Sequence, residues 1–222
     1  MGATAQTRST IGTGGAVGRG GPVVVLASSA TCLVAAPAAI DDGGAYSWLR
    51  HTTSESAAQG VDGAWVARVG FVLFALGVAW TTARATARWG RLAAALHGVF
   101  AGAMLGVAAF STRPWTGAAY DIGEDRLHSV FASIVGVAFA LGVAAVARRR
   151  HVDGGHPTML DVVAVATSVI APTAMTLVAP VAGVAQRVMF AVAYAWYARE
   201  ALADRRASPA RPAPPEPAAH GR

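Results

Sequence analysis

Two short segments of this chain gather side chains that could bind or transform a ligand. The first reads WLRHTTSESAAQG at 48–60, and the second reads YDIGEDRLHS at 120–129. Their candidate residues for catalysis are His51, Ser54, Glu55, Asp125 and His128. Histidine and carboxylate groups serve as general acids and bases. They also supply the nitrogen and oxygen ligands that zinc accepts.

A zinc-dependent hydrolase is therefore one chemistry that these residues permit. His51, Asp125 and His128 would be its metal ligands, and the metal would activate water. The chain has no HExxH motif and no close histidine pair, so its spacing does not identify a metal, and we expect no cofactor. Ser54 as a nucleophile with His51 as its base is a further alternative. Whether the protein is an enzyme stays open.

Three further polar residues fall inside apolar segments and predict ligand binding. They are Arg68, Gln186 and Arg187. A charge at the depth of Arg187 costs about 2.5–3.5 kcal/mol on insertion scales. We therefore expect Arg187 to face the interior of a helix bundle and to pair with Asp125 or Glu55. A guanidinium also binds phosphate or carboxylate through two parallel hydrogen bonds, so the same residue could clamp an anion.

The composition indicates a membrane protein. Hydrophobic residues make up 54% of the 222 residues and charged residues 14%, against about 25% charged in soluble domains. Several apolar runs approach the roughly 20 residues that span a bilayer as a helix. The net charge of +6 comes from arginines in short segments between those runs, with no lysine. That pattern excludes a nucleic-acid-binding face.

The apolar runs predict an all-α, polytopic protein with a six-transmembrane-helix bundle. The spans are expected at about 22–40, 65–83, 91–110, 127–147, 159–178 and 181–198. They form a transmembrane domain over 21–199, between a disordered tail at 1–20 and a Pro- and Ala-rich disordered tail at 200–222. The first span could be a cleaved signal peptide, but a retained anchor is favoured because the later spans then pair.

The arginines predict the orientation. With both termini in the cytoplasm, thirteen arginines fall on the inner side and four on the outer side. Inner loops carry such an excess in multi-pass proteins of the plasma membrane. Both polar segments then lie on the outer side, and we expect them to converge on one polar site at the outer mouth of the bundle.

Gly98, Gly102 and Gly106 share one face of the third span because they are four residues apart. Small residues at this spacing let another helix approach closely. We expect this face to pack inside the bundle, with homo-oligomerisation as the less favoured alternative.

Four segments carry a resemblance to a known family. They are HTTSE at 51–55, WVARVGF at 65–71, LHS at 127–129 and GVAQR at 183–187. Through these segments, residues 46–198 of the chain resemble the bacterial membrane proteins grouped as domain of unknown function 998. Members of this family are frequent in actinobacteria. The resemblance implies six membrane helices and no established activity. The Ala- and Arg-rich, lysine-free composition also suits an actinobacterium.

The leading hypothesis is a non-enzymatic site that binds a lipid headgroup or a small anionic amphiphile, with membrane lipids as partners. The alternative is a membrane-embedded hydrolase of a lipid-like substrate, by a looser analogy with ceramidase-like membrane hydrolases. A small transporter is third. It is disfavoured because the inner half offers few matching polar groups and the two halves show no inverted repeat.

Overall fold

The computed structural model describes residues 20–40 and 45–207. The predicted tail at 1–20 lies almost wholly outside the described residues. So does most of the predicted tail at 200–222, although the last helix continues to Ala207.

Six long helices account for most of the described chain, and these residues contain no strand. The all-α prediction is thus confirmed. Helix α1 covers Gly20–Ala30 and continues through a π-helical turn at Thr31–Ala35 to Ala36–Ala38. The others are α2 Ala64–Trp89, α3 Arg91–Ala109, α4 Ile122–Val152, α5 Met159–Leu177 and α6 Ala182–Ala207.

Local sequence explains where these helices begin. The Asp121 carboxylate accepts from the first free backbone N–H groups of α4, at 2.7 and 3.1 Å, which is the role of an N-cap residue. Thr158 and Asp161 form a reciprocal capping box at the start of α5,. Gly90 separates α2 from α3 at a φ of 84°, a left-handed conformation that glycine adopts without strain,.

Five of the helices, α1 to α5, are long and apolar enough to cross a membrane. Helix α6 is equally long but is not among them, because it carries polar residues such as Gln186, Arg187 and Glu200. These three side chains are nevertheless buried in the bundle. A helix that packs against several neighbours can hide polar groups that would be costly in lipid.

The bundle is a closed ring in which each helix packs on the next along the chain and α6 returns to α1 and α2. The connections at 45–63, 110–121 and 178–181 meet at one end, here called the loop face. The connections at 90 and 153–158, with the start of α1 and the end of α6, meet at the other end, the terminal face. Between them, aromatic side chains from four helices form the core.

The glycines of α3 do not all pack inside the bundle. A Cβ added at Gly106 would lie 2.4 Å from the Phe131 ring, so this glycine does permit close packing on α4. A Cβ added at Gly98 or Gly102 would meet no atom within 4 Å, and both residues are exposed. The expected internal packing therefore explains only Gly106.

Candidate functional site

The motif HTTSE forms a compact turn at the loop face. Thr52 Oγ1 accepts from the Glu55 backbone N–H at 3.1 Å. Glu55 Oε2 in return accepts from the Thr52 backbone N–H at 2.6 Å and from its hydroxyl at 2.9 Å. This is the reciprocal pattern of a capping box, and it leads directly into a single 3₁₀ turn at Glu55–Ala57,. The sequence made Glu55 a candidate catalytic residue. In the structure, its carboxylate accepts hydrogen bonds from Thr52 and so stabilises the local turn.

Arg187 fastens α6 to the segment before that turn. Its Nη1 donates to the backbone carbonyls of Trp48 and His51, both at 2.7 Å, and its Nη2 donates to the Tyr46 hydroxyl. The guanidinium also lies over the Trp48 ring, 4.7 Å from its centroid. The predicted burial of Arg187 is confirmed, since it is 3% exposed. The expected carboxylate partner is wrong, because among the described residues only these neutral groups accept from it.

The start of α6 completes this attachment through its backbone. Gly183 and Val184 donate their N–H groups to the carbonyls of Arg50 and Leu49, both at 3.1 Å. The four consecutive carbonyls at 48–51 therefore all accept from α6. A Cβ at Gly183 would lie 2.5 Å from the His51 carbonyl oxygen, so only glycine allows this approach. Burial raises the pKa of Tyr46 above its usual value, although the Arg187 charge opposes the shift.

The remaining residues predicted from the sequence near this segment bind local groups or lie in α2. Gln186 Oε1 accepts from the Ser54 backbone N–H at 3.1 Å, and its Nε2 donates to the Ser54 hydroxyl at 3.4 Å. Ser54 is thus bonded to an amide. His51 Nδ1 accepts from the Ser47 backbone N–H at 2.9 Å. Arg68 is half-buried in α2, and its Nε has no hydrogen-bond partner among the described residues.

The second polar segment holds the end of α3 against the start of α4. Glu124 accepts from the Ser111 backbone N–H at 2.8 Å. Asp125 accepts from the Thr112 hydroxyl at 3.0 Å and from the Arg113 backbone N–H at 2.8 Å. These carboxylates satisfy backbone donors that would otherwise be left free where α3 ends.

His128 shares the face of Asp125, as the spacing predicts, but its role is also local. Its Nδ1 donates to the Phe110 carbonyl at 2.8 Å, because a carbonyl can only accept,. Over residues 20–40 and 45–207, no three His, Cys, Asp or Glu side chains lie close enough to hold a metal ion. His51, Asp125 and His128, the proposed zinc ligands, therefore do not come together as a metal site in the described part of the chain.

Gln59 joins the two segments and was missed by the sequence reasoning. Its Nε2 donates to the carbonyls of Ser111 and Asp121 at 3.1 and 3.0 Å, and its Oε1 accepts from the Asp121 N–H at 2.7 Å. Its backbone N–H donates to the Thr112 carbonyl at 3.0 Å. A lone glutamine in a polar loop gives no sequence signal of such pairing.

Between the two segments lies an open cleft of about 690 Å³, called the loop-face cleft. One wall is formed by 50–55, the other by 112–120, and the floor by the adjoining ends of α5 and α6. Its lining residues include Arg50, His51, Glu55, Arg113, Trp115, Tyr120, Met175 and Ala182. Of the residues predicted from sequence, only His51 and Glu55 line this cleft. Arg187 lies behind its wall.

The cleft combines positive charge with aromatic and apolar surface. Arg50 and Arg113 are exposed. No carboxylate in the described part of the chain forms an ion pair with either of them. His51 stacks on Trp115 across the cleft, with ring centroids 5.1 Å apart and planes inclined by 24°. Two available guanidinium groups beside aromatic rings can bind an anion that carries an apolar part.

A second polar cluster, the Glu200 network, lies buried at the terminal face. Glu200 is 1% exposed. One of its oxygens accepts from Trp89 Nε1 at 2.9 Å and faces Arg88 at 3.1 Å, while the other pairs with Arg150. Arg150 also pairs with Asp161, which accepts from Trp196 Nε1 at 2.8 Å. The arginine pattern predicts that this face is the inner one, and the expectation that the inner half offers few matching polar groups is therefore wrong.

His97 lies beside this network in the core. It is fully buried, stacks on Trp196 at 5.0 Å, and shares a 2.7 Å hydrogen bond with the Tyr197 hydroxyl through Nδ1. The network is paired throughout, and its acids and arginines come from four different helices. It joins the ends of α2, α4, α5 and α6.

Comparison with known proteins now places the chain in a family. The model of the family described as "Protein of unknown function (DUF998)" matches residues 25–203. The chain belongs to this family. The match includes both walls of the loop-face cleft and the Glu200 network, so the resemblance seen in the sequence is confirmed. No curated protein and no solved structure matches this DUF998 protein. The actinobacterial origin stays a prediction.

Proposed function

We propose that this protein is a plasma-membrane protein whose loop-face cleft binds the anionic headgroup of a lipid or another small amphiphilic anion. The observation that supports this function best is the lining of the cleft. Arg50 and Arg113 stand on opposite walls of one cleft whose floor is apolar. A fully polar anion would contact only the arginines of the cleft, whereas an amphiphile would also place its apolar part against the apolar floor.

The chemistry of each wall fits such a ligand. Guanidinium groups form short, charge-assisted hydrogen bonds to phosphate oxygens. Trp115 and Tyr120 offer rings of the kind enriched where membrane meets water. Met175 and Ala182 place methylene and methyl surface beneath them.

Arg187 acts in this proposal as a positioning residue. It lies behind the wall and donates to the carbonyls of Trp48 and His51, which bracket the segment that carries the Arg50 and His51 side chains. The anion-clamp role first expected for Arg187 thus passes to the two exposed arginines. Gln186 supports the same wall through Ser54.

The proposal includes six membrane-spanning helices with both termini in the cytoplasm. The arginine excess at the terminal face supports this orientation. Gln186, Arg187 and Glu200 of α6 are buried against the other helices, so α6 can cross as a member of the ring without exposing them to lipid. Cys32, the only cysteine in the chain, is fully buried. In a variant with a cysteine at an exposed site, the introduced cysteine is therefore the thiol that a labelling reagent can reach.

A labelling experiment tests the orientation. In intact cells, a membrane-impermeant maleimide is expected to label Thr116→Cys at the loop face. His156→Cys at the terminal face should react only after the membrane is permeabilised. Both positions are exposed. Labelling of His156→Cys but not Thr116→Cys in intact cells would reverse the proposed topology.

Native mass spectrometry of the full chain in detergent tests the ligand class. Phosphatidylglycerol should bind in preference to phosphatidylcholine. The Arg50→Gln/Arg113→Gln variant should lose roughly a hundredfold in affinity, the effect of two charge-assisted hydrogen bonds of about 1.5 kcal/mol each. Arg126→Gln is the matched control, because Arg126 is exposed at the same face but does not line the cleft.

Inorganic phosphate distinguishes the two sources of anion. Competition by phosphate alone indicates a small-anion site, and its failure to compete indicates a lipid headgroup. Equal phosphatidylglycerol binding by wild type and the double variant would overturn the proposal. So would an equal loss in Arg126→Gln.

A further inference from the structure

A smaller pocket adjoins the loop-face cleft and bears on which headgroup the cleft takes. This side pocket has a volume of about 160 Å³ and is more enclosed than the cleft. It is formed by the turn at 59–62 and by residues of the segment 114–119. Its lining includes the Asp62 carboxylate and the Trp115 ring. The two arginines of the proposed anion site line the cleft only.

The side pocket and the cleft lie against the same segment. Pro114, Trp115 and Ala118 line both spaces. Both spaces are partly open at the loop face, and the tip of the segment between them, at 116–118, is exposed. A ligand seated in the cleft can therefore extend a short arm around this tip into the side pocket, and it needs no passage through the protein.

Gln59 holds the two walls of the side pocket together. Its backbone N–H donates to the Thr112 carbonyl at 3.0 Å. Its side chain donates to the Asp121 carbonyl at 3.0 Å and accepts from the Asp121 N–H at 2.7 Å. Gln59 belongs to one wall, whereas Thr112 and Asp121 flank the segment that forms the other. The pocket is thus shaped before a ligand arrives, which lowers the cost of binding.

Asp62 supplies an acceptor in this pocket. Its side chain is exposed and forms no ion pair with any residue in 20–40 or 45–207. An ionised carboxylate can only accept hydrogen bonds, and its two oxygens can accept from two hydroxyls at once. The Trp115 ring adds an apolar surface on which C–H groups can pack. A carboxylate beside an aromatic ring therefore suits a polyol.

A hydroxylated arm is also the occupant that agrees with an anionic headgroup. An ammonium arm would cancel the charge of the phosphate that the two arginines select. Arg113 directly precedes Pro114 in the shared segment and would repel such a cation,. A neutral hydroxyl avoids this repulsion and still forms a charge-assisted hydrogen bond to the carboxylate.

We infer that the cleft selects a headgroup whose phosphate carries glycerol or another polyol, and that Asp62 binds the hydroxyls of this arm in the side pocket. The inference rests on the proposed function, because the arginines hold the phosphate from which the arm extends. A volume of 160 Å³ holds about ten water-sized groups, which is ample for glycerol. The arm also keeps the phosphate and the carboxylate apart.

Two lipids of equal charge test this inference in native mass spectrometry of the full chain in detergent. Phosphatidylglycerol and phosphatidylethanol, with identical acyl chains, carry the same phosphodiester charge, but only the first has free hydroxyls. Wild type is expected to bind phosphatidylglycerol at least about tenfold more tightly, the effect of one charge-assisted hydrogen bond. Asp62→Ala should bind the two lipids equally and should still prefer both to phosphatidylcholine.

Two further variants separate the role of the carboxylate from effects on the fold. Asp153→Ala is the matched control, because Asp153 is an exposed acid at the terminal face, and it should keep the tenfold preference. Ala119→Phe fills the side pocket without a change of charge, since Ala119 lines this pocket but not the cleft. It should lose the preference as Asp62→Ala does. A full preference in either pocket variant would overturn the inference.

The two proposals fail in different ways. Equal binding of phosphatidylglycerol and phosphatidylethanol by wild type, with both preferred to phosphatidylcholine, would overturn the side-pocket inference and leave the arginine site standing. A preference for phosphatidylethanolamine over phosphatidylglycerol that Asp62→Ala abolishes would assign the carboxylate to an ammonium group and would also overturn it. No preference for phosphatidylglycerol over phosphatidylcholine would overturn the proposed function, and this inference with it.

Discussion

Replacing Glu200 with glutamine is expected to lower the free energy of unfolding by about 3–5 kcal/mol, as for other broken buried ion pairs. Glu200 is 1% exposed and accepts from Trp89 and from two arginines, Arg88 and Arg150. Glutamine has the same shape, but its amide nitrogen would face one of these donors. Two guanidinium charges would also lose the carboxylate that they share.

Thermal unfolding of the purified protein in detergent measures this effect. Asp153→Asn is the control, because Asp153 pairs with Arg149 at 2.9 Å while both side chains are about half exposed. Exposed pairs contribute at most about 1 kcal/mol. Similar unfolding temperatures for the Glu200 and Asp153 variants would contradict the view that the network stabilises the terminal face.

Arg187→Gln has the second large expected effect, a decrease of at least about 3 kcal/mol in the free energy of unfolding, which is the lower bound for losing its two hydrogen bonds to loop carbonyls. The guanidinium donates to the Trp48 and His51 carbonyls and to Tyr46, and hydrogen bonds to charged groups contribute about 1.5–3 kcal/mol each. The shorter glutamine cannot span these acceptors. The two carbonyls would then lose their donors in a buried site.

Hydrogen exchange over 45–60 separates this role from ligand binding, since the segment should lose protection even without lipid. Arg126→Gln provides the control and should change stability by less than about 0.5 kcal/mol, as exposed substitutions usually do. An Arg187→Gln protein with wild-type stability and wild-type exchange, but without lipid binding, would restore Arg187 as a direct ligand contact.

The sequence predicted the helices well because their signals are local. Apolar runs and capping residues such as Asp121 and Thr158 depend only on neighbours along the chain, and five of the predicted spans coincide with helices that are long and apolar enough to cross a membrane. The burial of Arg187 was predictable for the same reason, since a charge inside an apolar run must face the protein interior.

The partners of polar groups were less predictable because they depend on distant backbone. Arg187 binds loop carbonyls, and Glu124 and Asp125 bind loop N–H groups. Every residue offers such groups, so no side-chain pattern reveals which of them are used. Glu200 was missed because its partners Arg88 and Arg150 lie far away in the sequence.

The most direct test of the central claim is a crystal structure of the full chain grown in lipid doped with phosphatidylglycerol. We expect a headgroup phosphate within hydrogen-bonding distance, about 3 Å, of the guanidinium nitrogens of Arg50 and Arg113. A loop-face cleft that contains only water, with phosphatidylglycerol ordered elsewhere on the bundle, would contradict the account.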